Sequence, residues 1–461
     1  MAVTDRAGGW PALPALADPA ADAVLASGLL PELAYAFGGP FHFLLPDAFD
    51  ANLRAMQDAL ASAGVDGFVY FAKKANKAAV FVERAAAGGA GVDVASASEL
   101  REALGHGVRG EHLVVTGPAK EAALLRLAVQ HGALIAVDTP DELDALAALA
   151  ARAPAGGTRP ARVLLRCLPP TQPHSRFGMT EAELDTAMER CLQAGEAIRM
   201  EGFSFHLSGY ALQPRADLAA RLVELCLKAR AQGLEASRIS IGGGLPISYT
   251  DAESWNSFLA EHDSRYYHAE KTFQPGDFYP YHSPDAGPDA LAALLATRPQ
   301  GHAGHLADLL KDAGVVLLLE PGRALLDRAG ATVFRIQGVK ERDGYRLLTV
   351  DGTSLSLSEQ WFNSEYLPDP VLLPQDPGGT DGLYPASVGA ATCLESDMLT
   401  WRKVGFTRRP RTGDLLVYPN TAGYQMDSNE SPFHDLALPP KVVVDQTDRP
   451  RPRWRMDRHF S

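Results

Sequence analysis

Eight short apolar runs alternate with amphipathic helical segments between Gly67 and Leu319, and this alternation restricts the fold more than any other feature of the chain. The runs are Gly67 to Ala72, Val92 to Ala95, His112 to Val115, Leu134 to Val137, Arg162 to Cys167, Gly202 to Leu207, Arg238 to Ile241 and Val315 to Leu319. Each has the length of a strand and is too short for a helix. The segments between them, such as "SASELREALGHG" and "AKEAALLRLAVQHG", carry apolar residues three and four apart, and several end in Gly, the residue that best closes a helix. Eight strand-helix units predict an α/β fold, a (β/α)8 TIM barrel, whose functional residues sit where the strands end.

The rest of the chain reads differently. From Ala329 to Phe460, extended runs such as "ATVFRIQGVKE", "YRLLTVDG", "GDLLVYPN" and "KVVVD" alternate with turn residues, which predicts a second, mostly β domain of sandwich or barrel-like form. The expected division is a barrel over 47–325 with an insertion at about 250–310, and a β-domain made of 1–46 plus 326–461. The insertion holds "SRYYHAEKTFQPGDFYPYHS". Two readings of it stand: a lid or substrate wall, or a surface excursion packed on its own aromatics.

With 461 residues, 46% of them hydrophobic, the chain can bury the cores of two or three domains. A net charge of −13 disfavours a nucleic-acid partner, because phosphate backbones require a cationic stripe. The basic cluster Arg449, Arg451, Arg453, Arg455 and Arg458 is expected to be a solvated C-terminal strand or tail. No run of eighteen apolar residues appears and the first residues lack a signal pattern, so no membrane partner and a cytoplasmic location are expected. Cys167, Cys191, Cys226 and Cys393 show no pair spacing, which argues against a disulfide framework or a zinc site. His302 and His305 stand three apart but no third ligand follows them, so no metal is expected.

At the strand ends the polar residues gather. Lys73 and Lys74 follow the first strand, Asp93 and Ser96 lie at the second, Arg166 at the fifth and His206 at the sixth. The seventh runs into Gly242-Gly243-Gly244 and the eighth into Glu320-Pro321-Gly322-Arg323. Three glycines after a strand let backbone N–H groups approach an anion, and Arg323 adds a bidentate cation beside them. A phosphate cradle, a carboxylate and a lysine in one barrel mouth suit pyridoxal phosphate; a lysine-dependent sugar-phosphate aldolase would need only the cradle and the lysine.

The ordered motifs "FAKKAN", "GVDVASASEL", "GPAK", "HGALIAVD", "SRFGM", "FHLSGY", "IGGGLP", "EPGR", "VDG", "CLESD" and "AGYQM" resemble the fold-type III, pyridoxal-phosphate-dependent decarboxylases that include the diaminopimelate, ornithine and arginine enzymes. The likeness spans Ala36 to Pro440 and points to an atypical bacterial branch. It implies a homodimer with shared active sites, an amino-acid substrate and pyridoxal 5'-phosphate as cofactor. It also implies Lys74 as the Schiff-base lysine, His206 against the cofactor ring, Asp93 near the cofactor, and Glu320 paired with the pyridine nitrogen. Gly242, Gly243, Gly244, Gly322, Arg323 and Tyr424 would hold the phosphate, and Cys393 would reach from the partner subunit to donate a proton.

Departures from the family pattern concern specificity. His-Leu-Ser-Gly replaces His-Ile-Gly-Ser, which leaves Ser208 to touch the phosphate from one position earlier. Leu394 follows Cys393 where an acid is usual, with Glu395 and Asp397 next; Arg176 replaces a lysine, and Asp351 matches a position that meets a distal ammonium in some members. The expected activity is α-decarboxylation of an amino acid, of modified or conjugated kind. A pyridoxal-phosphate racemase and a non-catalytic, partner-binding homologue are the alternatives. For the double lysine, adjacent strand residues point to opposite sides, so Lys74 should enter the mouth and Lys73 should face the helix layer or solvent.

Overall fold

The computed structural model describes residues 11–151, 159–358, 362–375, 382–445, 447–449 and 451–457. The chain forms two compact units, one made of 1–49, 247–284 and 326–457, the other of 50–246, 285–325 and 458–461. Arg458 lies outside the described residues.

In the first unit, β1 (Phe41–Leu44) is a buried strand near the chain start. The second unit is a closed parallel barrel of β2 (Gly67–Ala72), β3 (Gly91–Val94), β4 (Leu113–Val115), β5 (Leu134–Val137), β6 (Ala161–Arg166), β7 (Ile198–Ser204), β8 (Arg238–Ser240) and β9 (Val316–Leu319). Closure is made by β2 against β9, with Gly67, Phe68 and Val69 opposite Leu317, Leu318 and Leu319. Tyr70, Val114, Leu134, Leu164 and Leu318 form a buried cluster within it. This is the eight-stranded barrel that the alternating runs predict, with two strands matched end to end and the others displaced by one to four residues. The largest displacement is in β7, which starts at Ile198 because "IRM" is as apolar and extended as the run that follows it.

The first unit carries a nine-stranded sheet completed by β10 (Gly330–Arg342), β11 (Tyr345–Val350), β12 (Val371–Leu373), β13 (Tyr384–Gly389), β14 (Met398–Phe406), β15 (Leu415–Tyr418), β16 (Lys441–Asp445) and β17 (Arg453–Met456). In it β1 lies between β10, antiparallel, and β16, parallel. Helices Pro19–Ala26 and Leu29–Phe37 bury Val24, Leu30 and Leu33 in one cluster with Phe41, Phe43, Val333, Val417 and Val442. Arg453 and Arg455 of the basic segment are strand residues of β17, paired with Asp445 and Val443. Among the described residues no single helix is long and apolar enough to cross a membrane.

Residues 247–284 belong to this β unit, whereas the sequence reading places about 250–310 within the barrel's span. Their rings are interior. Tyr249, Tyr267, Tyr279 and Tyr281 are at most 2% exposed. Tyr249 meets Tyr279, Tyr281 and Tyr366 at centroid distances of 5.6, 5.3 and 5.6 Å, mostly edge to face. The Tyr281 hydroxyl donates to Glu365 O at 3.3 Å and accepts from Leu367 N at 3.2 Å. These rings are packing residues, since edge-to-face aromatic contacts of this kind stabilise a core.

Candidate active site

The double lysine resolves at the end of β2. The strand stops at Ala72, and Lys73–Ala75 forms a 3-10 turn closed by Asn76 N donating to Lys73 O. Lys73 is 1% exposed and pairs with Glu102 at 2.8 Å, in the helix Ala97–Gly105. Lys74 is 46% exposed and donates to Asp93 Oδ2 at 2.7 Å. The two lysines therefore part as the sequence predicts, with Lys73 turned to the helix layer. The cause is different: a tight turn separates them, because the pleat has already ended.

A cavity of about 270 Å³ opens beside Lys74, lined among others by Thr116, Arg166, Phe177, His206 and Glu320. Asp93, at the end of β3, is 2% exposed and accepts from Thr116 Oγ1 at 2.6 Å as well as from Lys74. Glu320 follows β9 and accepts from Ser240 Oγ at 2.5 Å. Burial, then repulsion from Asp93, raise the Glu320 pKa to about 7 against the attraction of Lys74. His206 is solvent-exposed on one side, and crowding by protein on the other, then the cations Lys74, Arg166 and Arg215, lower its pKa to about 4. His206 is thus a neutral imidazole near pH 7, and Glu320 is poised between acid and carboxylate.

Behind these groups Arg166 lies 3.3 Å from Asp138 and 4.5 Å from the Phe177 ring centroid. Asp138 also accepts from Gly178 N at 2.9 Å, which fixes the "SRFGM" loop, while Arg176 of that loop is exposed and lies over Phe177 at 4.1 Å. Lys120 of "GPAK" is buried against Glu142 and donates to Ala136 O at 2.6 Å.

The glycine turn follows β8. Gly242 and Gly244 have φ of 65° and 80°, in the region that side-chain-bearing residues avoid. A Cβ at Gly242 would stand 2.8 Å from His206 Nδ1, at Gly243 2.7 Å from Glu320 O, and at Gly244 2.4 Å from an Arg215 nitrogen. Arg323 is 5% exposed in the turn Arg323–Leu325.

In the β unit, Cys393 is exposed, with its Sγ 3.2 Å from His434 Nε2. Asp397 is buried and braces the same loop by accepting from Ser354 N, Thr392 N and Thr392 Oγ1 at 2.8, 3.2 and 2.6 Å. Glu395 is exposed. Asp351 is buried and accepts from Arg335 N at 2.7 Å, and burial raises its pKa to about 6. Tyr424 has φ 79°, a left-handed conformation that a tyrosine seldom adopts and that often marks a functional turn. Thr116, Ser240, Arg215 and His434 escape sequence reasoning because each is defined by a partner remote in the chain. A hydroxyl at or just past a strand end is the one signal that the first two offer.

A family described as "Pyridoxal-dependent decarboxylase, pyridoxal binding domain" matches residues 47–277. The uncharacterized protein y4yA of Sinorhizobium fredii is 39% identical over 448 residues, 95% of this chain and 95% of its own. The diaminopimelate decarboxylase of Actinosynnema pretiosum subsp. auranticum is 27% identical over 430 residues, 90% of this chain and 85% of its own. Among solved structures, the diaminopimelate decarboxylase of M. jannaschii in co-complex with L-lysine superposes with a TM-score of 0.70 at 19% identity, covering 90% of this chain and 89% of that one. At that identity the superposition speaks for the fold. The barrel mouth fits the cofactor such proteins use: a side-chain-free glycine turn with two left-handed residues lies against the buried cation Arg215, and an accessible lysine amine stands in the same cavity as a buried acid. The chain belongs to the fold-type III, pyridoxal-phosphate-dependent decarboxylases, the group of the diaminopimelate, ornithine and arginine enzymes, with pyridoxal 5'-phosphate as its cofactor.

Proposed function

We propose that the chain removes the α-carboxylate of an amino acid with Lys74 as the residue that bonds the cofactor and Cys393 as the acid that protonates the substrate carbon. The observation that carries this reading is the grouping of Lys74, His206 and Glu320 around one cavity, with Asp93 on the lysine. The bound cofactor supplies an electron sink for the pair left when carbon dioxide departs. Asp93 orients the Lys74 amine. Glu320, with a pKa near 7, would hold or share a proton with the pyridine nitrogen, and neutral His206 would face the ring without adding a cation. Ser208, Gly242, Gly243, Gly244, Gly322 and Arg323 would hold the phosphate.

Cys393 acts in a homodimer, from the partner subunit, as family resemblance implies. His434, 3.2 Å from the thiol, restores its proton between turnovers. The substrate carries a distal group unlike a simple ammonium. Support comes from a cavity of about 330 Å³ in the β unit, lined by residues flanking Cys393, Thr392 and Leu394, with Lys271, Ser354, Ser396 and Phe433. Lys271 stands 4.0 Å from the Trp401 ring centroid and brings a cation to this cavity, whose two acids, Glu365 and Asp397, are buried and accept from the backbone N–H groups of Arg402 and Ser354. Asp351, bound to Arg335 N, is a poor reader of an ammonium, and the buried aromatics of 247–284 no longer argue for a large substrate.

The test is a panel of free and conjugated amino acids scored for carbon dioxide release and for loss of optical rotation. Carbon dioxide release that falls about a hundredfold or more in Cys393→Ser is the expected result. Racemisation without carbon dioxide release refutes the reading in favour of a racemase.

A further inference from the structure

Arg215 is 0% exposed, and its partners are backbone carbonyls. It projects from the helix Leu212–Ala231 between two loops of the barrel rim. Nη1 donates to Ile241 O at 3.0 Å and Gly243 O at 2.9 Å, in the loop after β8. Nη2 donates to Leu207 O at 3.2 Å and Gly209 O at 3.1 Å, in the loop after β7. Its Nε meets no partner, and no carboxylate pairs with it among the described residues. Burial lowers its pKa to about 10, so it stays charged at neutral pH. A buried cation without an acid is costly unless something else compensates it.

The carbonyls suggest what compensates it. In a trans peptide the C=O and the next N–H point in opposite directions. Drawing the Leu207 and Gly243 carbonyls onto Arg215 therefore turns the N–H groups of Ser208 and Gly244 away from it. Neither N–H meets an acceptor among the described residues. Both loops thus present donors on the side opposite a fixed positive charge, which is the arrangement of an anion-binding nest. Resting on the phosphate site proposed above, we infer that Arg215 is its positioning residue, clamping the loops after β7 and β8 so that Ser208 and Gly244 offer their N–H groups to the phosphate above a buried positive charge.

Pyridoxal lacks the phosphate, so the ratio of pyridoxal Kd to pyridoxal 5'-phosphate Kd isolates this contribution. It is measured by absorbance titration of the full chain freed of cofactor. Arg215→Met is expected to lower the ratio about 30-fold while pyridoxal affinity changes by less than about threefold. Arg215→Lys keeps the charge but offers one nitrogen to four carbonyls, and should lower the ratio about fivefold. A structural defect alone would weaken both ligands equally. Equal weakening, or an unchanged ratio in folded Arg215→Met, overturns the inference. If Arg215→Met does not fold by circular dichroism, Arg215→Lys decides: a lowered ratio supports the inference and an unchanged one overturns it.

Discussion

Replacing Glu320 by Gln in the cofactor-free chain should flatten part of the pH dependence of stability. Glu320 is enclosed, bonded to Ser240 at 2.5 Å, and its pKa rises from 4.5 to about 7 through burial first and Asp93 second. The folded chain therefore keeps a proton that the unfolded chain has lost. The stabilisation is complete below the unfolded value and disappears as pH rises through the folded one. Two and a half pH units correspond to about 3 kcal/mol, with a slope of about 1.4 kcal/mol per unit. Glu365 and Asp351, raised to about 7 and about 6, add slope of the same sign. His206, held at about 4, opposes them below its unfolded value of 6.5. The informative quantity is thus the difference between wild type and Glu320→Gln, an isostere that still accepts from Ser240. Urea unfolding at pH values from about 4.5 to 7.5 should show that difference falling by about 3 kcal/mol as pH rises. Parallel curves would refute the burial argument for Glu320.

Lys73→Ala should keep the visible absorbance of bound cofactor while stability drops by about 3 kcal/mol, because a buried ion pair at 2.8 Å is broken; thermal melting and absorbance check both. Gly244→Ala places a Cβ 2.4 Å from Arg215 in a left-handed turn and should weaken cofactor binding at least about tenfold in an absorbance titration. His434→Asn tolerates the φ of 60° at that position, and should slow steady-state carbon dioxide release about tenfold because the proton relay 3.2 Å from Cys393 is lost, as read by a coupled assay against wild type.

The barrel was legible because each strand is a short apolar run ended by Gly or a polar residue, a signal confined to a few neighbouring positions. Lys74, Asp93, His206 and Glu320 were legible for a related reason: all four stand at or just beyond strand ends, where barrel topology forces convergence. What stayed hidden depends on distance along the chain. The aromatics of the insertion read equally as a lid or substrate wall and as an excursion packed on its own rings, and only Tyr366 and Glu365, about a hundred residues on, reveal those of 247–284 as a core. The sequence shows Asp351 as an available carboxylate, and only the fold brings Arg335 N onto it. Arg215 sits within a helical pattern where an arginine ordinarily faces water, and nothing local marks it as buried between two loops. Lys73 and Lys74 part through a 3-10 turn, which alternation along a strand cannot describe.

The most direct measurement is reduction of the purified protein with borohydride followed by peptide mass mapping. The account predicts loss of the visible band and a single pyridoxyl adduct on the peptide carrying Lys74, retained in Lys73→Ala and absent in Lys74→Ala. An adduct on Lys73 or elsewhere, or one that persists in Lys74→Ala, would contradict it.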